Sequence, residues 1–309
     1  MSEVILKVEE QFNKLRIDKF ISENVEELSR SYIQKLIEDK LILVNDSECK
    51  SNYQVRTNDT VLLNIPDSIE PEILPEDIPL DILYEDSDVI VVNKPKGMVV
   101  HPAAGHYSGT LVNALMFHCK DLSGINGVLR PGIVHRIDKD TSGVLVACKN
   151  DFAHKSLAEQ LKDHSITRKY HAIVVGSFKE NEGTIRGAIG RKPSDRKLMA
   201  INERNGKPAV THYRVLECLT NSSYVECQLE TGRTHQIRVH MASINHPVLG
   251  DVTYGGKRSE FKLHNEPLQG QTLHAKVLGF NHPRTNEYME FEAELPEYFI
   301  ELLNKLKIR

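Results

Sequence analysis

His135-Arg136-Ile137-Asp138-Lys139-Asp140-Thr141-Ser142-Gly143 (HRIDKDTSG) stands between the apolar runs Gly132–Val134 and Val144–Cys148. Apolar flanks of this kind predict strands over 132–138 and 143–149. The polar, glycine-ended turn between them then lies at a sheet edge, where side chains can meet a ligand while the strands hold them rigid. Taken alone, the composition also suits a capped turn in which Asp138 and Asp140 accept backbone hydrogens and Arg136 pairs with them.

Outward from this stretch, strands are predicted over 169–175, 211–218 and 223–229, and helices over 110–119 and 153–163. Many strands and few helices imply an α+β fold with a large, mostly antiparallel mixed sheet. A second polar cluster, LETGRTHQIRVHM (229–241), reads as alternating after Gly232, with Arg233 and His235 on one face and Thr234, Gln236 and Arg238 on the other. A third, ITRKYHAIV (166–174), puts Arg168, Lys169 and Tyr170 at the head of a strand, the mixture of cation and aromatic ring that stacks on bases and meets phosphates. His135, Asp138, His235 and His240 could be imagined as a metal-dependent nuclease centre. No His-x-x-x-His or Cys/His spacing supports one, so no metal is expected.

Before the first large-domain strand, residues 67–81 hold three prolines and six acidic residues, which neither helix nor strand tolerates well. They read as a linker between a module at 1–66 and a domain at 82–309. In the module, Ile17, Phe20 and Ile21 share one helical face and Ile33, Leu36 and Ile37 another. The runs LILVND and TVLLNI add strands, the first ending in an Asn45-Asp46 turn.

The net charge of −4 is unevenly spread. Residues 1–66 carry 9 basic and 12 acidic residues, 67–88 carry 0 and 9, and 89–309 carry 30 and 22. The large domain is therefore basic, and the acidic connector cannot be used to dismiss a polyanionic partner. Cys49, Cys119, Cys148, Cys218 and Cys227 are odd in number and scattered, as expected of reduced thiols rather than a disulfide framework. No apolar run approaches the eighteen or so residues of a membrane span, and MSEVILKVEEQF lacks a signal pattern, so a soluble cytoplasmic protein is expected.

Residues 14–66, with Arg16, Asp18, Lys19, Ser29, Arg30, Ser31 and Gln34 at their spacings, resemble the S4-like RNA-binding module. That resemblance assigns RNA contact to Arg16, Lys19, Arg30 and Lys35, although a solvated helix face would carry the same charges. Over about 220 residues the chain resembles the RluA/RluD-type pseudouridine synthases. The match rests on HRIDKDTSG, RKYHAIV and TGRTHQIRVH in order, on LYEDSDVIVVNKPKGMVVHPAAGH and GINGVLRPGIVHR ahead of them, and on GDVTYGG, LHA and ELPEYF after them. Ile137 replaces the family's common leucine, a volume-conserving change.

The resemblance implies the pseudouridine synthase fold and an isomerase without cofactor. It makes Asp138 the essential aspartate, Tyr170 the ring against the target base and Arg238 the partner of the nucleophilic carboxylate, with Arg136 entering the space of the flipped uridine. His135, Arg168, Arg233 and His235 complete the expected RNA-binding set. The RluD-like branch points to a stem-loop of large-subunit (23S) ribosomal RNA as substrate, and a monomer is expected. The rival is a non-catalytic RNA-binding ribosome-assembly factor with the same fold, which would have no reason to keep a carboxylate among cations.

Overall fold

The run Ser142–Cys148 is buried along its whole length, so it must be a central strand with both faces covered. The structure, a computed structural model, describes all residues except 1, 26–27, 29, 67–72, 103–105, 126–129, 256–261, 264–265 and 308–309. Ser29 of the module pattern and parts of VVHPAAGH, GINGVLRPG and GDVTYGG thus lie outside the described residues. The chain divides into two compact units, Met1–Pro71 and Glu72–Arg309.

In the first unit the helical spacing of apolar residues becomes α1 (Ile17–Asn24) and α2 (Arg30–Glu38), each burying the three positions its period marks. They share one apolar cluster with an antiparallel sheet ordered β1-β4-β2-β3, built from β1 (Ser2–Lys7), β2 (Ile42–Val44), β3 (Ser47–Glu48) and β4 (Thr60–Ile65). Asn45 and Asp46 both take positive φ, 48° and 63°, the two-residue turn that fits the twist of a hairpin.

The second unit begins with part of the expected linker. Residues 73–80 form neither helix nor strand, yet they are fastened down. Ile73 is buried in the main apolar cluster, Asn113 donates to the Leu74 carbonyl, and the Glu76 carboxylate accepts the Gly109 amide. Apolar Ile73 and Leu80 find a core, which the acidic composition of the stretch concealed.

Its strands are β5 (Ile82–Glu85), β6 (Val89–Lys94), β7 (Ser142–Cys148), β8 (Thr167–Val175), β9 (Glu182–Arg186), β10 (Ile189–Lys192), β11 (Asp195–Ile201), β12 (Val210–Leu219), β13 (Ser222–Leu229), β14 (Lys262–Leu263), β15 (Glu266–Pro267), β16 (Leu273–Asn281) and β17 (Tyr288–Glu292). Nine of them form one sheet in the order β5-β6-β7-β16-β8-β13-β12-β9, with β17 also on β16. Every pair in it is antiparallel except β7 with β16.

Alternation along β7 builds both layers. Leu145 and Ala147 join the cluster that holds Leu111, Val112 and Leu115 of α3 (Leu111–His118) and Ile237 and Met241 of α5 (Gln236–Ser243). Val144, Val146 and Cys148 face Ala153 and Leu157 of α4 (Asp151–Lys162). A third cluster packs α6 (Glu297–Leu306) against Ile173 and Val175 of β8. Each fully buried Val or Leu contributes about 1.5–3 kcal/mol, so a continuously buried strand is a strong anchor for the loop at its end.

Two sequence expectations fail here. Residues 132–138 do not form a strand; they touch the sheet through a single bridge, Ile133 to Ala147, and then run irregularly. The segment 233–241 is not an extended strand but a turn followed by α5.

Candidate active site

Asp138 is set by what surrounds its backbone. Ile137 is buried in the main core, which turns the next side chain outward, so that Asp138 keeps 18% side-chain exposure. The Asp138 carbonyl accepts the Thr141 amide, closing a turn. The Lys139 carbonyl is held twice, by the Gly97 amide at 2.9 Å and by Lys94 Nζ at 3.1 Å. Lys94 is fully buried and also donates to the Pro95 and Met98 carbonyls, at 2.8 and 2.7 Å. Burial pulls its ammonium down to about 7 against the pull of Asp140 and Asp138. These bonds clamp the turn that follows 132–138, a stretch whose Gly132 carbonyl still accepts the Cys148 amide of β7.

Beyond the loop, Gly143 at φ +114° lets β7 run parallel to β16. A Cβ there would stand 2.2 Å from the Ala275 carbonyl oxygen. Glycine is the residue that permits both that dihedral and that approach.

Arg238 meets this loop from α5. Its NH1 lies 2.9 Å from Asp138 Oδ2, and on its other side it makes a two-pronged pair with Asp251, Nε to Oδ2 at 2.6 Å and NH2 to Oδ1 at 3.0 Å. Burial would lower its pKa, but the bonds and charges of Asp251 and Asp138 outweigh burial and raise it. The guanidinium is therefore permanently charged, and two carboxylates fix its plane.

The change from extended chain to helix occurs at His235, whose φ is 57°. Gln236 locks that turn: its side-chain oxygen accepts from the Arg233 amide and Thr231 Oγ1, while its Nε2 donates to the Val210 carbonyl and Thr211 Oγ1. The turn puts His235 and Arg238 on the same side, both facing Asp138, where strand alternation would have separated them. His235 Nε2 lies 3.8 Å from Asp138 Oδ1. Burial first, and Arg238 and Arg136 further, lower its pKa, and Asp138 opposes them.

Asp138, Arg238, His235, Arg136, Arg168, Arg233, His135 and Tyr170 all line one cleft of about 530 Å³, within the usual range of ligand pockets. Tyr170, on β8, is 8% exposed and belongs to the main core, so its ring presents a rigid wall. Arg168 is 6% exposed; its NH2 donates to the Glu230 carbonyl, and among the described residues Nε has no hydrogen-bond partner and no carboxylate pairs with it. A Cβ on Gly232 would fall 2.5 Å from Arg168 NH1, so the glycine makes room for the guanidinium. Arg136 is exposed at the rim, and Arg233 Nε donates to the Pro208 carbonyl.

His135 contributes no charge. Its Nε2 accepts the Val146 amide at 3.2 Å, and burial pushes its pKa down to about 3. His240 is also engaged, Nδ1 with Thr211 Oγ1 and Nε2 with the Gly187 carbonyl. Of the four residues of the imagined nuclease centre, only Asp138 and His235 come together.

In the first unit Arg16 and Arg30 converge on Asp18, which is fully buried. Burial opposes charge there, but bonds from Arg16, Arg30 and Gln34 hold the carboxyl at about 2. Both guanidiniums stay half exposed. Lys19 pairs loosely with Glu23 at 3.6 Å, and Lys35 is exposed.

Sequence reasoning missed Asp251 and Tyr254, which hold Arg238 and His235, and Lys94, which holds the Asp138 loop. Their only trace in the sequence was their place in the stretches GDVTYGG and NKPKG.

Comparison with known proteins agrees with this geometry. The family model described as RNA pseudouridylate synthase matches residues 88–243, and the S4 domain model matches 15–61. An uncharacterized RNA pseudouridine synthase of Bacillus subtilis (strain 168) is 52% identical over 99% of both chains. The ribosomal large subunit pseudouridine synthase D of Zymomonas mobilis is 47% identical, covering 91% of this chain and 90% of its own. The solved structure of human RNA Pseudouridylate Synthase Domain Containing 1 aligns with a TM-score of 0.55 at 29% identity, over 75% of this chain and 86% of that one. A carboxylate paired with a fixed arginine, beside a buried tyrosine in a cationic cleft, in a chain that also carries an S4 domain, accords with the family name these relatives share: the chain belongs to the RNA pseudouridylate synthase family.

Proposed function

We propose that this enzyme isomerises uridines of large-subunit ribosomal RNA, with Asp138 as nucleophile. The observation that carries the assignment is the 2.9 Å pair of Asp138 with Arg238 inside a cleft that Arg136, Arg168 and Arg233 also line. The ribosomal substrate is supported by relatives named ribosomal large subunit pseudouridine synthase D, from Zymomonas mobilis and from Pasteurella multocida at 42% identity over 99% of this chain.

The reaction breaks the N1–C1′ bond of uridine, joins C5 to C1′ and moves the C5 proton to N1, so atoms and electrons balance without oxidant, water or cofactor. A charged Asp138 can add to C1′, add to C6 or remove a ribose proton; each route uses the carboxylate as an anion, and Arg238, 2.9 Å from its Oδ2, is its counter-charge. When N1 departs, the detached base carries negative charge. Arg168, buried and without a carboxylate, is the complement to that anion, while Tyr170 lies against the ring. Arg136 at the rim fills the space left by the flipped nucleotide, offsetting part of an unstacking cost of a few kcal/mol. Arg233 and the S4 unit's Arg16, Lys19, Arg30 and Lys35 meet phosphates, and neutral His135 supports the cleft wall.

Among the described residues no helix is long and apolar enough to cross a membrane. The reading has the enzyme acting on RNA as a cytoplasmic monomer. Mapping pseudouridines in ribosomal RNA from cells lacking this gene, with and without the wild-type chain restored, tests the substrate. Loss of large-subunit sites that returns only with the intact chain is expected; an unchanged map refutes it.

A further inference from the structure

Tyr254 follows α5 by a short loop, and its hydroxyl joins three elements. Its oxygen accepts the Met199 amide of β11 at 3.1 Å and lies 2.8 Å from His235 Nδ1. Its ring lies under the Arg238 guanidinium, 5.0 Å from Cζ to centroid, and edge-on to the His235 ring at 5.7 Å. A backbone amide can only donate, so the Tyr254 oxygen is an acceptor toward Met199. The arrangement that leaves no hydrogen idle has the phenol donating to His235 Nδ1. His235 then carries its proton on Nε2, the nitrogen 3.8 Å from Asp138 Oδ1.

We propose that Tyr254 is a positioning residue that holds His235 as the Nε2–H tautomer, and that this N–H is a donor for an oxygen of the uridine bound against Asp138. The inference rests on Asp138 being the nucleophile. At 3.8 Å the N–H is too far from the carboxylate to be consumed by it, so it stays available to a substrate atom entering the gap. The charged groups facing His235 are Asp138, Arg238, Asp251 and Arg136. Burial first, then Arg238 and Arg136, disfavour an imidazolium and outweigh the pull of Asp138 and Asp251, which leaves a neutral ring whose tautomer matters. Asp251 completes the device, since it accepts the Tyr254 and Thr253 amides as well as Arg238. One short loop thus orients both groups that face the nucleophile.

The test is to label histidine with 15N in the full-length chain and read ring tautomers by long-range 1H–15N correlation, His235→Gln identifying the signal. His235 is expected neutral with its proton on Nε2. Tyr254→Phe, which keeps the ring on Arg238, should give a mixture of tautomers. It should also lower the single-turnover rate at saturating RNA about ten-fold, the equivalent of about 1.4 kcal/mol, and leave RNA affinity unchanged. A wild-type proton on Nδ1, or a Tyr254→Phe enzyme with an unaltered tautomer and full rate, overturns the proposal. Asp138→Asn run alongside separates the two readings. Activity in that variant removes the nucleophile assignment, whereas an inactive Asp138→Asn beside an unaltered Tyr254→Phe removes only the role of Tyr254.

Discussion

Arg238→Met should damage stability and chemistry by separable amounts. The guanidinium makes three bonds, one to Asp138 at 2.9 Å and two to Asp251 at 2.6 and 3.0 Å, and Asp251 is 1% exposed. Methionine fills similar volume but leaves the Asp251 carboxylate buried, with two backbone amides, from Thr253 and Tyr254, as its remaining donors among the described residues. Removing one partner of a buried pair typically costs about 3–5 kcal/mol, most of it the uncompensated charge left behind. Asp138 is partly solvated, so its share of that loss should be small. Arg238→Met/Asp251→Asn removes the orphaned charge and should recover most of the stability. It should not recover the chemistry, because Asp138 still lacks its cation; both variants should lose at least 100-fold in single-turnover rate, about 2.7 kcal/mol. Urea melts of the two singles and the double form a cycle with coupling of about 2 kcal/mol or more. A double variant as unstable as Arg238→Met would refute the assigned division of labour, as would a stable Arg238→Met single.

Other consequences follow from particular contacts. Gly143→Ala should lower the melting temperature and the rate together, because a Cβ 2.2 Å from the Ala275 oxygen must part β7 from β16, on top of about 1–2 kcal/mol for left-handed backbone; a neutral result in circular dichroism melts would refute the close approach. Asp18, at about 2 rather than 3.8, has a depressed folded pKa, so its contribution is present above about 3.8 and lost as pH falls through 2. Asp18→Asn should therefore destabilise the isolated Met1–Pro71 unit at pH 7 by about 1–2 kcal/mol, solvent screening at the half-exposed guanidiniums taking the rest of the shift's full equivalent, and by little near pH 2, read by chemical denaturation at both. Removing residues 1–71 should spare the saturating single-turnover rate but weaken RNA binding and flatten its salt dependence, by about 0.7–0.9 in log–log slope for each phosphate no longer neutralised; unchanged affinity and slope would make the S4 unit a bystander.

Much of the architecture was legible because burial and period agree. The β7 run shows as a continuous apolar stretch, while the alternating β8, β12 and β13 and the amphipathic α1 and α2 each expose one periodic signal. Helix α5 hid because Gln236 through Met241 are all buried. A helix covered on every side has no apolar stripe, and its mixed polar sequence mimics strand alternation. The 132–138 loop hid for another reason: Ile133 and Ile137 are buried as a strand's residues would be, but the backbone leaves the sheet after Ile133 and runs into a turn that is closed by Thr141 and clamped at the Lys139 carbonyl by Lys94 and Gly97. Asp138, Tyr170 and Arg238 stood out through motif resemblance. Asp251 and Tyr254 did not, since what they do depends on a fold that returns them to residues far away in sequence.

The central assignment is tested most directly with RNA tritiated at uridine C5, whose hydrogen is released only when C5 joins C1′. Asp138→Asn, nearly isosteric, should fold and bind RNA as the wild type does and release no tritium in a single turnover, while Asp140→Asn retains most of the rate. Tritium release by Asp138→Asn, or its loss in Asp140→Asn alone, would contradict the account.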